Sequence, residues 1–245
     1  MARSPTPMPV DRGTEWFVPK FGPRRFRLAV GLLFLPYTGM VLAYTVIGSM
    51  LAHQVLWERV GAIVVAYFFA LGVGAHALDA VGSGDSRPWG EVWTRRQLWV
   101  LAIGSLVIAY AIGGYYMLTA TPLLWLIAIP EGFFVFAYNL EWWRGRFHTD
   151  GWFALSWGTL PVLAGYILQT NCITTASVVV AAAMGLLSYV EITVSRPYKA
   201  LKRVPDGLLD DARRTEMARG ERILKSLSLG VILLGVGMML WRLTP

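Results

Sequence analysis

Acidic side chains are sparse in the long apolar stretches of this sequence, and one placed there is costly enough to need a reason. Asp79 closes one stretch, and Asp85 follows it in the glycine-rich turn AVGSGDSRPWG. Glu131 stands near the middle of another, directly after Pro130, while Glu191 closes a third and is followed by Ser195, Arg196 and Lys199 in EITVSRPYK. Asp79 and Glu191 therefore hold equivalent positions, and two such carboxylates could hold Mg²⁺, an ion that keeps several waters and needs only one or two carboxylates plus substrate phosphates. The ordinary role of a carboxylate at a helix end is an interfacial anchor or salt-bridge partner. Arg144, Arg146, Arg196 and Lys199 could clamp a diphosphate, because a guanidinium fork matches phosphate geometry; topology alone would also put basic residues there. His76 precedes Asp79 on the same helix face, where packing or hydrogen bonding is the commoner use of a histidine. Glu131 is the leading candidate for a buried functional group, and its plain alternative is a carboxyl bonded to a neighbouring helix.

The elements that must position these residues are membrane helices. Of 245 residues, 56% are hydrophobic and only 15% charged, which lies outside the range of soluble domains. Crossing the hydrocarbon layer takes roughly 17–25 apolar residues. Seven segments meet or approach that length: 28–52, 60–78, 97–118, 119–140, 151–169, 173–190 and 223–241, the last flanked by Lys225 and Arg242, which can snorkel. The expected fold is all-α, a polytopic bundle of about seven transmembrane helices around a central cavity. Pro36, Pro130 and Pro161 fall inside spans, where neighbouring helices must satisfy the carbonyls that proline frees, and such bends often border cavities. Residues 1–27 carry charges and prolines without an apolar core, so they read as an arm and not as a cleavable signal peptide. The rest, 28–245, forms one membrane domain, with 196–222 as a loop and a polar surface helix capped by Asp206 or Asp210.

Lysine and arginine sort onto alternate connections. Six lie in the arm, three in the loop after the second span, two after the fourth and nine from 196 to 225; only Arg59 and Arg242 fall on the other side. Basic loops stay in the cytoplasm, so the arm is inside, the C-terminus is outside, and an inner (plasma) membrane location is expected. The formal charge of +7 is then topology plus attraction to anionic lipid headgroups, and does not point to nucleic acid. A single cysteine, Cys172, excludes an internal disulfide and a multi-cysteine metal site; the scattered His53, His76 and His148 make a His-rich one unexpected. No low-complexity tract or clear repeat is visible.

Over residues 21–199 the chain resembles the UbiA superfamily of intramembrane prenyltransferases. The segment RPWGEVWTRRQLWVLAIGSL, after the acid-bearing loop, is similar to the family's "RPL…G…S…QAL" start of the third helix. FAYNLEWWRGRFHTDGWFALSWGTLPVLAGY is similar to its tyrosine-containing fourth-helix end and "G…LP…G" fifth helix. The family's first motif, N-D-x-x-D-x-x-x-D, aligned on Asp79 puts Ala75, His76 and Ser83 at the remaining positions, with Asp85 two residues late for the last acid. Its second, D-x-x-x-D-x-x-x-D, meets Glu191, Ser195 and Lys199. The family usually has two more spans than are counted here.

The resemblance implies a Mg²⁺-dependent site at Asp79, Asp85 and Glu191 for an isoprenoid diphosphate, with basic residues on the phosphates. The isoprenoid chain would pass to a lipophilic acceptor, a quinone, porphyrin or lipid precursor, with Glu131 or Asn139 orienting the reactants. It equally admits a chain that keeps the fold without the chemistry, as an isoprenoid-, quinone- or pigment-binding subunit of a larger membrane protein assembly. Eleven Trp, ten Tyr and eleven Phe suit both, and belong partly to the aromatic belt. A topology reporter fused after residue 245 is expected to work only outside the cytoplasm; cytoplasmic activity would require an even number of spans and overturn the orientation.

Overall fold

A computed structural model describes residues 13, 15–83 and 92–244. Among these, the chain is helical without strands, and seven helices are long and apolar enough to cross a membrane: α1 (Arg24–Met50), α2 (Trp57–Gly82), α3 (Arg95–Thr119), α4 (Pro122–Asn139), α5 (Asp150–Thr170), α6 (Thr175–Lys202) and α7 (Asp211–Leu243). The chain is an all-α integral membrane bundle. The predicted surface helix is not separate. Its polar residues form the first turns of α7, capped by Asp210, whose carboxylate accepts the Arg213 N–H at 2.8 Å. Nothing between them and the apolar run breaks helix propagation. At 33 residues and ~1.5 Å per residue, α7 outruns the ~30 Å hydrocarbon layer, so its polar start projects beyond it.

The sixth span also runs further than expected. α6 continues past residue 190 through Pro197 to Lys202, its last turns carrying the basic residues that a helix C-terminus favours. Glu191 is consequently an interior residue of α6.

Three spans depart from regular α geometry. α1 breaks between Arg24–Leu32 and Leu35–Met50, with Phe34 left-handed at φ 42°. Pro36 then lies in the first turn of the second piece, where no N–H is needed. α2 widens to a π-helix over Phe68–Ala75, and α5 does so over Ala154–Thr159, just ahead of Pro161.

The second half of α1 is the centre of the packing, against the last part of α5 and against α7. Close approach depends on glycine. A Cβ on Gly48 would collide with the Val162 carbonyl, and one on Gly165 with the Thr45 carbonyl. With backbones that near, the Ser49 hydroxyl donates both to Thr45 O at 2.9 Å and across the interface to Gly165 O at 3.3 Å. Small residues at the interface are how helices associate when lipid removes the hydrophobic drive between them. The perimeter is apolar: Val100, Val107 and Leu118 of α3 and Leu229 and Leu233 of α7 are exposed.

Polar ties close the short-loop end. Arg59 donates to Leu168 O at 2.9 Å, covering a carbonyl at the end of α5. The Gln169 amide accepts from Leu56 N–H at 2.8 Å and donates to Leu56 O at 3.2 Å. Arg242 donates to the carbonyls of Ala52 and His53. At the other end the arm is tied by Arg27, which donates to Pro19 O at 2.7 Å and Gly13 O at 3.0 Å, and by Glu15, which accepts the Tyr198 hydroxyl at 3.0 Å.

Gly48→Ala should lower the midpoint of unfolding in mixed micelles by the equivalent of about 1–3 kcal/mol, as overpacking does. Gly61→Ala, where an added Cβ meets nothing within 4 Å, should be neutral or stabilise by up to about 1 kcal/mol. Equal effects from the two would remove the close approach as the organising contact.

Candidate functional site

All three irregular spans meet at one cavity. It has a volume of about 460 Å³ and lies at the end of the bundle that carries the basic loops. Phe34 at the α1 break, His76 directly after the α2 π-segment and Trp157 within the α5 π-segment line it together. π-segments recur at functional sites because the extra residue per turn re-aims side chains. His76 lies between the other two rings, with centroids at 5.1 Å from Phe34 and 5.2 Å from Trp157. Its Nδ1 donates to Gly72 O at 3.0 Å, since a carbonyl only accepts.

One wall is a cationic stripe on α6. Arg196, Lys199 and Arg203 recur at helical spacing and all line the cavity. Arg196 is oriented from both sides: its Nε pairs with Asp150 at 2.8 Å and its Nη2 donates to His148 O at 3.0 Å. Asp150 opens α5 behind the Thr149 cap. The Lys199 ammonium stands 4.8 Å from the Phe34 ring centroid and 5.0 Å from that of Tyr37, within cation–π range. Tyr37 is itself fixed to α6 by donating to the Ser195 hydroxyl at 2.5 Å. Asp79 of α2, Asn139 of α4 and Glu141 of the following loop also line the cavity. Asn139 is steadied by donating to Val135 O at 2.8 Å.

That loop has an unusual backbone. Glu141, Trp143 and Arg144 all have positive φ, at 52°, 52° and 61°, which costs a non-glycine residue about 1–3 kcal/mol each. Packing offsets it. Trp143 sits 6.2 Å from Phe133 and 5.6 Å from Phe147, and Trp142 stacks at 6.3 Å on Phe136. The turn brings Glu141 to the cavity while His148, stacked on Tyr138 at 4.4 Å, bonds Tyr138 O at 3.1 Å.

Of the residues singled out from sequence, the fold gathers His76, Asp79, Asn139, Arg196 and Lys199 around this cavity. Glu191 is elsewhere. It is 3% exposed and faces a pocket of about 10 Å³ shared with Glu15, Tyr198, Leu224 and Ser228, and its Oε1 has no hydrogen-bond partner among the described residues. The expected equivalence of Asp79 and Glu191 fails on helix register: both lie inside helices, but Glu191 shares the α6 face of Ser195 and Tyr198, whereas Ile192, Arg196 and Arg203 line the cavity. Glu131 also lies apart, in a cleft with no lining residue in common with the cavity. Arg144 and Arg146 are exposed on the α4–α5 loop outside the lining. Asp85 lies outside the described residues.

Sequence reading missed Glu141, Tyr37, Tyr138, His148 and Arg203, all cavity residues. Arg203 had a visible signal, its spacing from Arg196 and Lys199, once α6 is taken to continue beyond 190. Glu141 had none, since only the left-handed turn directs it inward. Among the described residues no three of His, Cys, Asp or Glu converge as a metal-binding group. Asp79 and Glu141 are the carboxylates in the lining, a set that meets the one or two protein carboxylates Mg²⁺ needs beside phosphate. Compared with protein-family models, curated proteins and solved structures, the chain finds no match in any of the three.

The Arg196–Asp150 pair is 41% and 29% exposed, so a double-mutant cycle with Arg196→Ala and Asp150→Ala should give a coupling of only about 0.2–1 kcal/mol in unfolding stability. A coupling well above that range would make the pair a structural keystone and not an orienting contact for the cavity.

Proposed function

We propose that the protein is a UbiA-like membrane prenyltransferase that takes the diphosphate of an isoprenoid into the 460 Å³ cavity and passes the isoprenoid chain to a lipophilic acceptor. The observation that carries this reading is the facing of the α6 stripe, Arg196, Lys199 and Arg203, by a wall of aromatic rings in one cavity. Lys199 and Arg203 supply charge for a diphosphate, and Arg196, paired with Asp150 through Nε, can still turn its Nη1–Nη2 edge to it. Phe34, Tyr37, Tyr138, Phe153 and Trp157 supply apolar surface for the first isoprene units.

In the transfer, the allylic C–O bond breaks and the diphosphate leaves with the electron pair. Its growing charge falls on the stripe, fixed in place before the reaction. The allylic cation left behind is stabilised by ring faces. The acceptor's nucleophilic atom then bonds to that carbon and loses a proton to the released diphosphate. Asn139 serves as the orienting residue, since Glu131 lies in a different cleft. Mg²⁺ carried in on the diphosphate, held by Asp79 and Glu141, would supply further neutralisation of the leaving group.

A second reading has its own support. Of the carboxylates expected from the family motifs, only Asp79 lines the cavity among the described residues, which favours a subunit that holds an isoprenoid diphosphate by its cations without turning it over. The deciding experiment measures binding of radiolabelled geranylgeranyl diphosphate to the purified protein, with and without Mg²⁺, and transfer of the label into lipid extract. Arg196→Ala should weaken binding about tenfold, as loss of a charge-assisted contact does, and Asp79→Asn should abolish transfer in a folded protein. Tight binding without transfer at any chain length establishes the second reading. Affinity unchanged in an Arg196→Ala, Lys199→Ala double variant overturns both.

A further inference from the structure

The Glu131 carboxyl is left without a role by the cavity, and its surroundings are specific. It sits about midway along α4. Its Oε1 accepts the Tyr67 hydroxyl of α2 at 2.6 Å, and no other hydrogen bond reaches it among the described residues. Tyr110 of α3 stands beside this pair and donates to Ala128 O at 3.0 Å. Gly132 makes room for that hydroxyl, because a Cβ there would collide with it. The three residues line a cleft of about 70 Å³ between α2, α3 and α4, otherwise formed by apolar side chains such as Leu106, Ile127 and Val135, and containing no lysine, arginine or histidine. Tyr110 is 40% exposed, and nearby Val107 and Ile129 are more so. The mouth therefore opens onto the apolar perimeter, at a depth that only the membrane interior can supply with ligand.

We propose that this cleft is a second, lipid-side binding site for the cationic head of a lipophilic amine, with Glu131 as its counter-ion. Charge complementarity carries the assignment. Ionisable groups within a span pair with one another or with backbone carbonyls, and among the lining residues of this cleft none is cationic. An ammonium can both donate to the Glu131 carboxyl and pair with it as an ion. A carboxylate head offers that acid no opposite charge, and an alcohol head offers it a hydrogen bond only. Size limits what enters. A water occupies about 30 Å³ in the liquid and an engineered cavity of about 150 Å³ holds benzene, so 70 Å³ takes an ammonium with its first methylenes and not a ring. The tail would lie in lipid along α3. This site is independent of diphosphate binding in the cavity.

The test uses the full chain in lipid discs, with dodecylamine as the probe and dodecanol and dodecanoate as comparators of equal tail length. Dicyclohexylcarbodiimide modification of Glu131 is followed by peptide mass spectrometry. Dodecylamine should slow modification of the wild type about tenfold, with dodecanol and dodecanoate giving little protection. It should also raise the unfolding temperature of the wild type but not that of Glu131→Gln. Equal protection by dodecanol, or protection by none of the three, overturns the assignment. So does equal stabilisation of the wild type and the Gln variant. Should that variant not fold, the protection measured on the wild type decides the matter alone.

Discussion

In hydrocarbon no water is present to bond a stray N–H or C=O, so every backbone polar group must be satisfied within the protein. That requirement governs this bundle. It allows irregular backbone only where a cavity or other protein receives it, and the α1 break and both π-segments supply residues to a single cavity. The irregular turns give Phe34, His76 and Trp157 their common direction. A regular helix in any of the three spans would rotate its residue away from the others. The close packing of α1 on α5, through Gly48 and Gly165, then holds the broken helix against a widened one.

Charge follows the same economy. At the short-loop end, Arg59 and Arg242 are each spent on helix-end or loop carbonyls of the chain itself. At the basic end Arg196 is braced by Asp150 and the His148 carbonyl, and Lys199 rests over the Phe34 and Tyr37 rings. A guanidinium braced on one side and an ammonium lying on aromatic faces lose little freedom when an anion arrives. That preorganisation is what distinguishes the α6 stripe from the exposed Arg144 and Arg146, which have the same charge without the same setting.

Lys199 and Tyr37 line both the main cavity and the small pocket that contains Glu191. The arm also contributes to that pocket through Glu15, which accepts from Tyr198, the residue directly before Lys199. The cationic stripe is thus backed by a buried acidic layer linking the arm to α6, with the Tyr198 hydroxyl also donating to Glu221 of α7 at 3.3 Å. The carboxylates that read from sequence as two halves of one metal site are therefore apart: Asp79 lines the cavity from α2, and Glu191 lies behind the α6 stripe.

The membrane class, the seven spans and the alternation of basic loops were legible in the sequence, because apolar run length and charge placement are set by the bilayer and act locally along the chain. The candidate site was legible in part. His76, Asp79 and Asn139 sit near span ends, where any helical bundle directs some polar residues inward, and Arg196 and Lys199 share a helical face. What tertiary structure alone decided was direction and grouping. Glu191 turned away because its register on α6 sets it with Ser195 and Tyr198 and not with Ile192 and Arg196. Glu141 turned inward because three left-handed residues are held by tryptophan and phenylalanine contacts between α4, α5 and their loop. Glu131 and Asn139 share α4, yet they face different cavities, because eight residues, at about 1.5 Å each, separate them along the helix.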